Sequence, residues 1–175
     1  STVFTATSPD TPTTPTRVPP INGLDGATAI HVVWEKPYSW GLPISNYEIK
    51  VDGGSAQLLD GAQEMYIAAG VKPATVHNFT IRAQNQYSWS SWSALATLNS
   101  SASAPTLNGL PVYETMANMP SKYTVTLPMP DENGYSVTLY QLRDQTGMTQ
   151  HTGAGSVIVM DRNCDDPDFL ALQWE

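Results

Sequence analysis

The sequence predicts an all-β protein built from one module used twice, and three observations carry that expectation. Between Val71 and Ser93 the chain alternates strictly, with His77, Phe79, Ile81 and Ala83 on one face and Asn78, Thr80, Arg82 and Gln84 on the other. A period of two is the signature of a half-buried strand. Charged residues are sparse at 14%, whereas Thr, Ser, Gly and Pro abound and hydrophobic content is 41%. That mixture suits packed cores made of short strands and many turns. Third, a shift of 93 residues aligns turn and core positions without a gap. Trp34 falls on Leu127, Pro37 on Pro130, Gly41 on Gly134, Tyr47 on Tyr140, Ile49 on Leu142, Lys50 on Arg143 and Gly54 on Gly147. Such self-similarity predicts a tandem repeat.

In chain order, residues 1–15 are a Thr/Pro-rich extended segment. Five prolines between Ser8 and Pro20 remove donors and fix φ, which excludes a helix or a central strand. The expectation is an extended linker, with a mucin-like O-glycosylated stalk as its functional variant. Its first seven residues, STVFTAT, lack Pro and Gly and are rich in β-formers.

The first module spans 16–100. Ala29 to Glu35 reads as a strand with Ile30, Val32 and Trp34 on one face, and Ile44 to Val51 as a strand with Tyr47, Ile49 and Val51 inward. Asp52-Gly53-Gly54 is a hairpin signal because these residues accept positive φ. Leu58 and Leu59 fit a short strand, and Met65 to Ala69 another. Residues 101–104 read as a linker, and 105–175 as the second module, with strands in Lys122–Pro130, Tyr135–Arg143 and Ser156–Asp161. The same shift places Leu172 on Phe79 and Trp174 on Ile81, so the second module is expected to stop inside the counterpart of the alternating strand.

Val71, Pro73, Thr75, Phe79, Ile81, Ala83, Asn85 and Trp92-Ser93 resemble the fibronectin type III pattern L-x-P-x-T-x-Y-x-F-x-V-x-A-x-N followed by W-S. Trp34 matches that family's core tryptophan, with Pro37 after it. The resemblance implies tandem fibronectin type III-like, immunoglobulin-like β-sandwiches, the second lacking its last strand. One departure is His77, which stands where the family has a tyrosine whose hydroxyl closes the turn before strand F. An imidazole N–H is expected to make a similar bond, as a packed structural group.

Trp89-Ser90-Ser91-Trp92-Ser93 also matches the W-S-x-W-S box of class I cytokine receptors, in which tryptophans interleave with arginines. Arg82 and Lys50 face outward on neighbouring strands, so a short cation-π ladder of Lys50, Arg82 and Trp89 is expected. The receptor reading itself lacks support: that family's paired cysteines are absent and only one arginine is available. The spacing W-x-x-W resembles a C-mannosylation acceptor, which would fall on Trp89.

Asn78-Phe79-Thr80 and Asn99-Ser100-Ser101 are N-glycosylation sequons. Tyr38 and Trp40, with Tyr87 and Trp89, are expected at one end of the sandwich as a patch for a protein or a sugar, against the alternative of packing onto the sandwich end. Asp161, Asn163 and Asp165 match the start of a calcium loop, but the glycine and the distal glutamate fail (Asp166 and Leu172 stand there), so a solvated acidic loop is favoured. Leu170, Leu172 and Trp174 would line the open edge left by the missing strand. STVFTAT is a candidate donor from a neighbouring copy, which would build a filament.

Nothing supports catalysis or a cofactor. His31, His77 and His151 fall on different strands or modules, and no nucleophile elbow, phosphate loop or metal cluster is present. A net charge of −8 disfavours nucleic acid and anionic membranes, and no apolar run approaches the roughly 20 residues of a membrane span. Cys164 is the single cysteine, so no intrachain disulfide forms. Because the chain starts at Ser1, a leader is expected to have been removed. The functional expectation is a non-enzymatic structural or adhesive module of a secreted or surface protein, working by protein contacts, with glycans and self-assembly as further expectations. The alternatives are an accessory spacer from a secreted carbohydrate-active enzyme and a virion or appendage protein.

Overall fold

The computed structural model describes residues 7–21, 25–110, 112–115, 117, 122–143, 149–153, 157–161 and 171–173. The chain divides into two compact units, Ser1–Ala102 and Ser103–Glu175. Among the described residues no helix is long and apolar enough to cross a membrane.

The first unit has seven strands: β1 (Thr16–Val18), β2 (Ala29–Val33), β3 (Ile44–Val51), β4 (Gln57–Asp60), β5 (Met65–Ala69), β6 (Val76–Asn85) and β7 (Ala96–Asn99). They form two antiparallel sheets, β1-β2-β5 and β4-β3-β6-β7. This is the fibronectin type III-like sandwich. Inward residues at period two supply the core: Ile30, Val32 and Trp34 from one sheet, Tyr47, Ile49, Phe79, Ile81 and Ala83 from the other. Trp34 packs edge-on against Tyr47 with ring centroids 5.4 Å apart. Burial raises the Tyr47 phenol above its ordinary pKa. Strand β2 stops at Val33, short of the expected Glu35, but Trp34 N–H still donates to Glu64 O.

The N-terminal segment is extended, yet it is a docked strap and not a free linker. Pro9, Pro12 and Pro15 are buried, while the residues between them are exposed. Every third residue facing inward is the repeat of a polyproline II helix. Polar bonds fix the strap. Asn85 Nδ2 donates to Thr7 O (2.8 Å), Asp10 N–H to Tyr38 O (2.9 Å) and Glu35 N–H to Thr13 Oγ1 (2.8 Å). Thr16–Val18 then pairs with β2 as an edge strand, the one sheet position that tolerates flanking prolines. The expectation of an extended linker is therefore corrected from Thr7 onward. Residues 1–6 lie outside the described residues.

The turn before β6 is closed differently from the expectation at His77. Ser100 Oγ accepts from Thr75 N–H (2.9 Å) and donates to Lys72 O (2.6 Å). The His77 ring instead bridges Thr75 Oγ1 (3.0 Å) and Asp52 Oδ2 (2.7 Å), tying the β3–β4 hairpin to β6. Asp52 has positive φ (52°), as does Gly53 (69°), the backbone that a tight hairpin needs. The Asn78 N–H, then the His77 ring, hold the Asp52 carboxyl below its usual pKa. A lowered folded-state pKa stabilises above the unfolded value and ceases to as pH falls through the folded one. Asp52→Asn tolerates the same backbone and removes the charge. Its melting temperature should therefore lie below wild type at pH 7, and the gap should close as acidification carries the wild type through its lowered folded-state pKa. A gap that does not narrow on acidification would show that the carboxylate charge is not what matters.

Ser101, expected in a linker, is anchored in the first unit. Its N–H donates to Gly26 O (2.8 Å), and Arg17 Nη2 donates to its Oγ (2.7 Å). In the second unit, Ser103 N–H donates to Asn133 O and Asn133 Nδ2 to Ala104 O.

The second unit contains β8 (Thr106–Leu107), β9 (Val112–Thr115), β10 (Lys122–Thr126), β11 (Pro130–Asp131), β12 (Tyr140–Arg143), β13 (Thr149–Gly153), β14 (Val157–Asp161) and β15 (Ala171–Gln173). Sheets β14-β10-β9 and β13-β12-β15 repeat the orders β5-β2-β1 and β4-β3-β6 of the first unit. The buried residues Val125, Leu127 and Tyr140 stand 93 positions after Val32, Trp34 and Tyr47. That offset does not hold in the later strands: His151 opposite Leu142 is the counterpart of Gln57 opposite Ile49, and Ile158 opposite Val125 is that of Tyr66 opposite Val32. Ile81 pairs with Ile49, whereas Leu172 pairs with Leu142, so Leu172 is the counterpart of Ile81 at an offset of 91. The expected placement of Leu172 on Phe79 is corrected accordingly, and the alignment of Trp174 with Ile81 falls with it. The stretch from Ile158 to Leu172 is one residue shorter than its counterpart from Tyr66 to Ile81. Among the described residues β15 pairs on one side only, with β12. Leu170 and Trp174 lie outside the described residues.

Candidate functional site

Two features of the first unit carry exposed or half-exposed aromatic and charged chemistry. One is the W-S-x-W-S box. Ser90 and Ser93 turn inward, and the tryptophans outward. Ser90 Oγ accepts from Ala83 N–H (3.0 Å) and Ser93 Oγ from Ile81 N–H (3.1 Å), while the N–H groups of Ser90 and Ser93 donate to Ala83 O and Ile81 O. The box thus satisfies a stretch of β6 that no regular strand covers, and leaving such buried N–H groups bare would cost about 1–3 kcal/mol each.

This alternation sends both indoles over the outer face of β6. The Arg82 guanidinium lies 4.6 Å from the Trp89 ring and 4.6 Å from the Trp92 ring, and Lys50 Nζ lies 4.6 Å from Trp92. The stacking order is Trp89, Arg82, Trp92, Lys50. Trp92 is the member that sequence reasoning left out, although its three-residue spacing from Trp89 was the available signal. Arg82 Nε and Nη2 both bond Glu48 Oε2, at 2.7 and 2.6 Å. The register sets Glu48 directly opposite Arg82.

The second feature is the loop end. Tyr38, Trp40 and Tyr87 are exposed at 65%, 50% and 63%. Tyr38 and Trp40 meet edge to face with centroids 5.1 Å apart. Tyr87 sits on the β6–β7 loop, where Asn85 Oδ1 accepts from its N–H (2.9 Å). The strap runs between the two loops, from Thr7 bonded to Asn85 to Asp10 bonded to Tyr38 O. Of the four aromatics expected here, Trp89 is half-buried and stacks against Arg82 in the ladder.

Trp40 itself is held in an unusual way. Its φ is 54°, followed by Gly41 at 81°. The second unit repeats this backbone 93 residues on, with Asn133 at 49° and Gly134 at 96°. Asn-Gly is the pair such a turn favours, whereas a bulky side chain there costs roughly 1–2 kcal/mol. Trp40 Nε1–H donates to Asp10 Oδ1 (3.0 Å), so the strap fixes the indole while leaving half of it in solvent.

Comparison with known proteins gives the following. No family model matches the chain. Over 121 aligned residues it is 28% identical to Fasciclin-2 of Schistocerca americana, a match that takes in 59% of this chain and 14% of that protein. Among solved structures it is similar to the FN1–FN3 domains of chicken contactin, CNTN1, at 17% identity and a TM-score of 0.48, covering 89% of this chain and 56% of that one. The chain therefore spans a small part of the first relative and about half of the second.

The remaining expected sites are placed as follows. Asn78 is half-buried within β6, and its Oδ1 accepts from Thr97 Oγ1 (2.9 Å). Asn99 is exposed at the end of β7. Among the described residues there is no group of three or more His, Cys, Asp or Glu suited to a metal. Asp161 ends β14, while Asn163 and Asp165 lie outside the described residues.

Proposed function

We propose that this chain is a non-enzymatic adhesive module of a secreted or surface protein, and that it makes protein contacts through the loop end at Tyr38, Trp40 and Tyr87. The observation that carries this reading is the turn at Trp40. The same left-handed backbone is filled by asparagine in the second unit and by a half-exposed tryptophan in the first. Strain of that kind persists where the side chain's position has a use, and exposed aromatics are favoured anchors of protein interfaces. The similarity to Fasciclin-2 supports the same class.

A surface coated with the full chain and presented to cultured cells tests it. Trp40→Ala should abolish adhesion while leaving the first unit folded, with a modest fall in melting temperature, because the Cβ that strains φ 54° stays and the Nε1 bond to Asp10 is lost. Adhesion that survives the change moves the contact surface elsewhere. The exposed sequon Asn99, with Asn78 and the indole of Trp89, are proposed modification sites in this setting. Self-assembly at β15 is a further reading, favoured by its pairing on one side only among the described residues. Intact mass and light scattering of the secreted chain decide both: an unmodified mass rules out the glycans, and a monomer at high concentration rules out the filament.

A further inference from the structure

We infer that the strap-held corner formed by Asp10, Tyr38 and Trp40 receives an arginine side chain of the partner protein, with Asp10 acting both as the positioning residue for Trp40 and as the countercharge. The inference rests on the loop end being a contact surface and adds the chemistry of what it contacts.

The molecule itself contains the completed arrangement. At the ladder a guanidinium carbon lies 4.6 Å from the centres of two indole rings while its N–H groups bond a carboxylate, Glu48. A planar, delocalised cation suits both partners at once, the ring face and the carboxylate fork. The corner holds the same set without the cation. An indole is half in solvent, a carboxylate oxygen lies 3.0 Å from its Nε1, and a phenol ring stands at 73° to it. Among the described residues Asp10 has no ion pair, and its Oδ2 has no hydrogen-bond partner. A guanidinium stacked on the exposed face of Trp40 would reach that oxygen at the ring's edge.

The strap supplies the precision. Asp10 is held by its own N–H to Tyr38 O, between the buried Pro9 and Pro12. The carboxylate is thus placed before any partner arrives, and ordering it adds no cost on binding.

The test uses the full chain labelled with 15N-tryptophan, and N-acetylarginine amide as the probe. Trp40→Phe assigns the Trp40 indole N–H resonance. The arginine probe should displace that resonance saturably in the millimolar range. N-acetylcitrulline amide, planar and neutral, should bind roughly 2–5-fold more weakly, the factor a single exposed cation–ring contact gives. Asp10→Asn keeps an acceptor for Nε1 and should reduce the preference for arginine over citrulline. Equal responses to the two probes, no response to either, or an unchanged preference in a folded Asp10→Asn protein each overturns the inference. The comparison of probes on the wild-type chain decides the matter even if the variant does not fold. Failure of the wider reading shows separately, as adhesion unchanged by Trp40→Ala.

Discussion

Trp34→Ala is expected to lower the unfolding free energy of the first unit by about 3–5 kcal/mol, the range for truncating a large aromatic in a packed core. Trp34 is 4% exposed and sits edge-on to the fully buried Tyr47. Removing it leaves a cavity between the sheets and deprives the Tyr47 ring of its main aromatic neighbour. Denaturant unfolding followed by the fluorescence of the remaining tryptophans measures the loss. A change below about 1 kcal/mol would place Trp34 outside the core and invalidate the inward register of β2.

Arg82→Ala is expected to be the next largest effect, about 2–4 kcal/mol. Its guanidinium makes a charge-assisted pair with Glu48, worth about 1.5–3 kcal/mol, and lies against two indoles worth roughly 0.5–1 kcal/mol each. The Glu48 side chain is only 19% exposed, so the variant also strands a largely buried carboxylate. Arg82→Lys should recover part of the loss at most, because an ammonium cannot lie flat between two rings. Full recovery by lysine would mean that charge alone matters and that stacking contributes little. A double-mutant cycle with Glu48→Gln separates the ion pair from the ring contacts.

Much of this architecture is legible in the chain because it depends on local pattern. The alternation from His77 to Ala83 forces β6 to bury one face, and the hairpin residues Asp52 and Gly53 announce their positive φ. The Pro-x-x-Pro-x-x-Pro spacing of the strap was also present, but a three-residue period has consequences only when a partner surface lies alongside it. The burial of Pro9, Pro12 and Pro15 was therefore not readable from the segment itself. Tryptophan carries no sign of φ, so the left-handed conformation of Trp40 emerges only where its backbone is compared with that of Asn133.

The sequence by itself determined an all-β chain of two related modules, the inward residues Ile30, Val32, Trp34, Tyr47, Ile49, Phe79 and Ile81, and an outward Arg82 near a tryptophan pair, because each follows from strand periodicity and repeat spacing. Only the tertiary structure decided that Trp92 shares Arg82 with Trp89, that Ser90 and Ser93 satisfy β6 from within, that Leu172 pairs in register with Leu142, and that Asp10 reaches across 30 positions to hold Trp40. These are contacts between elements distant in the chain. Their register is set by how two sheets and a strap close around one core, which no local pattern encodes.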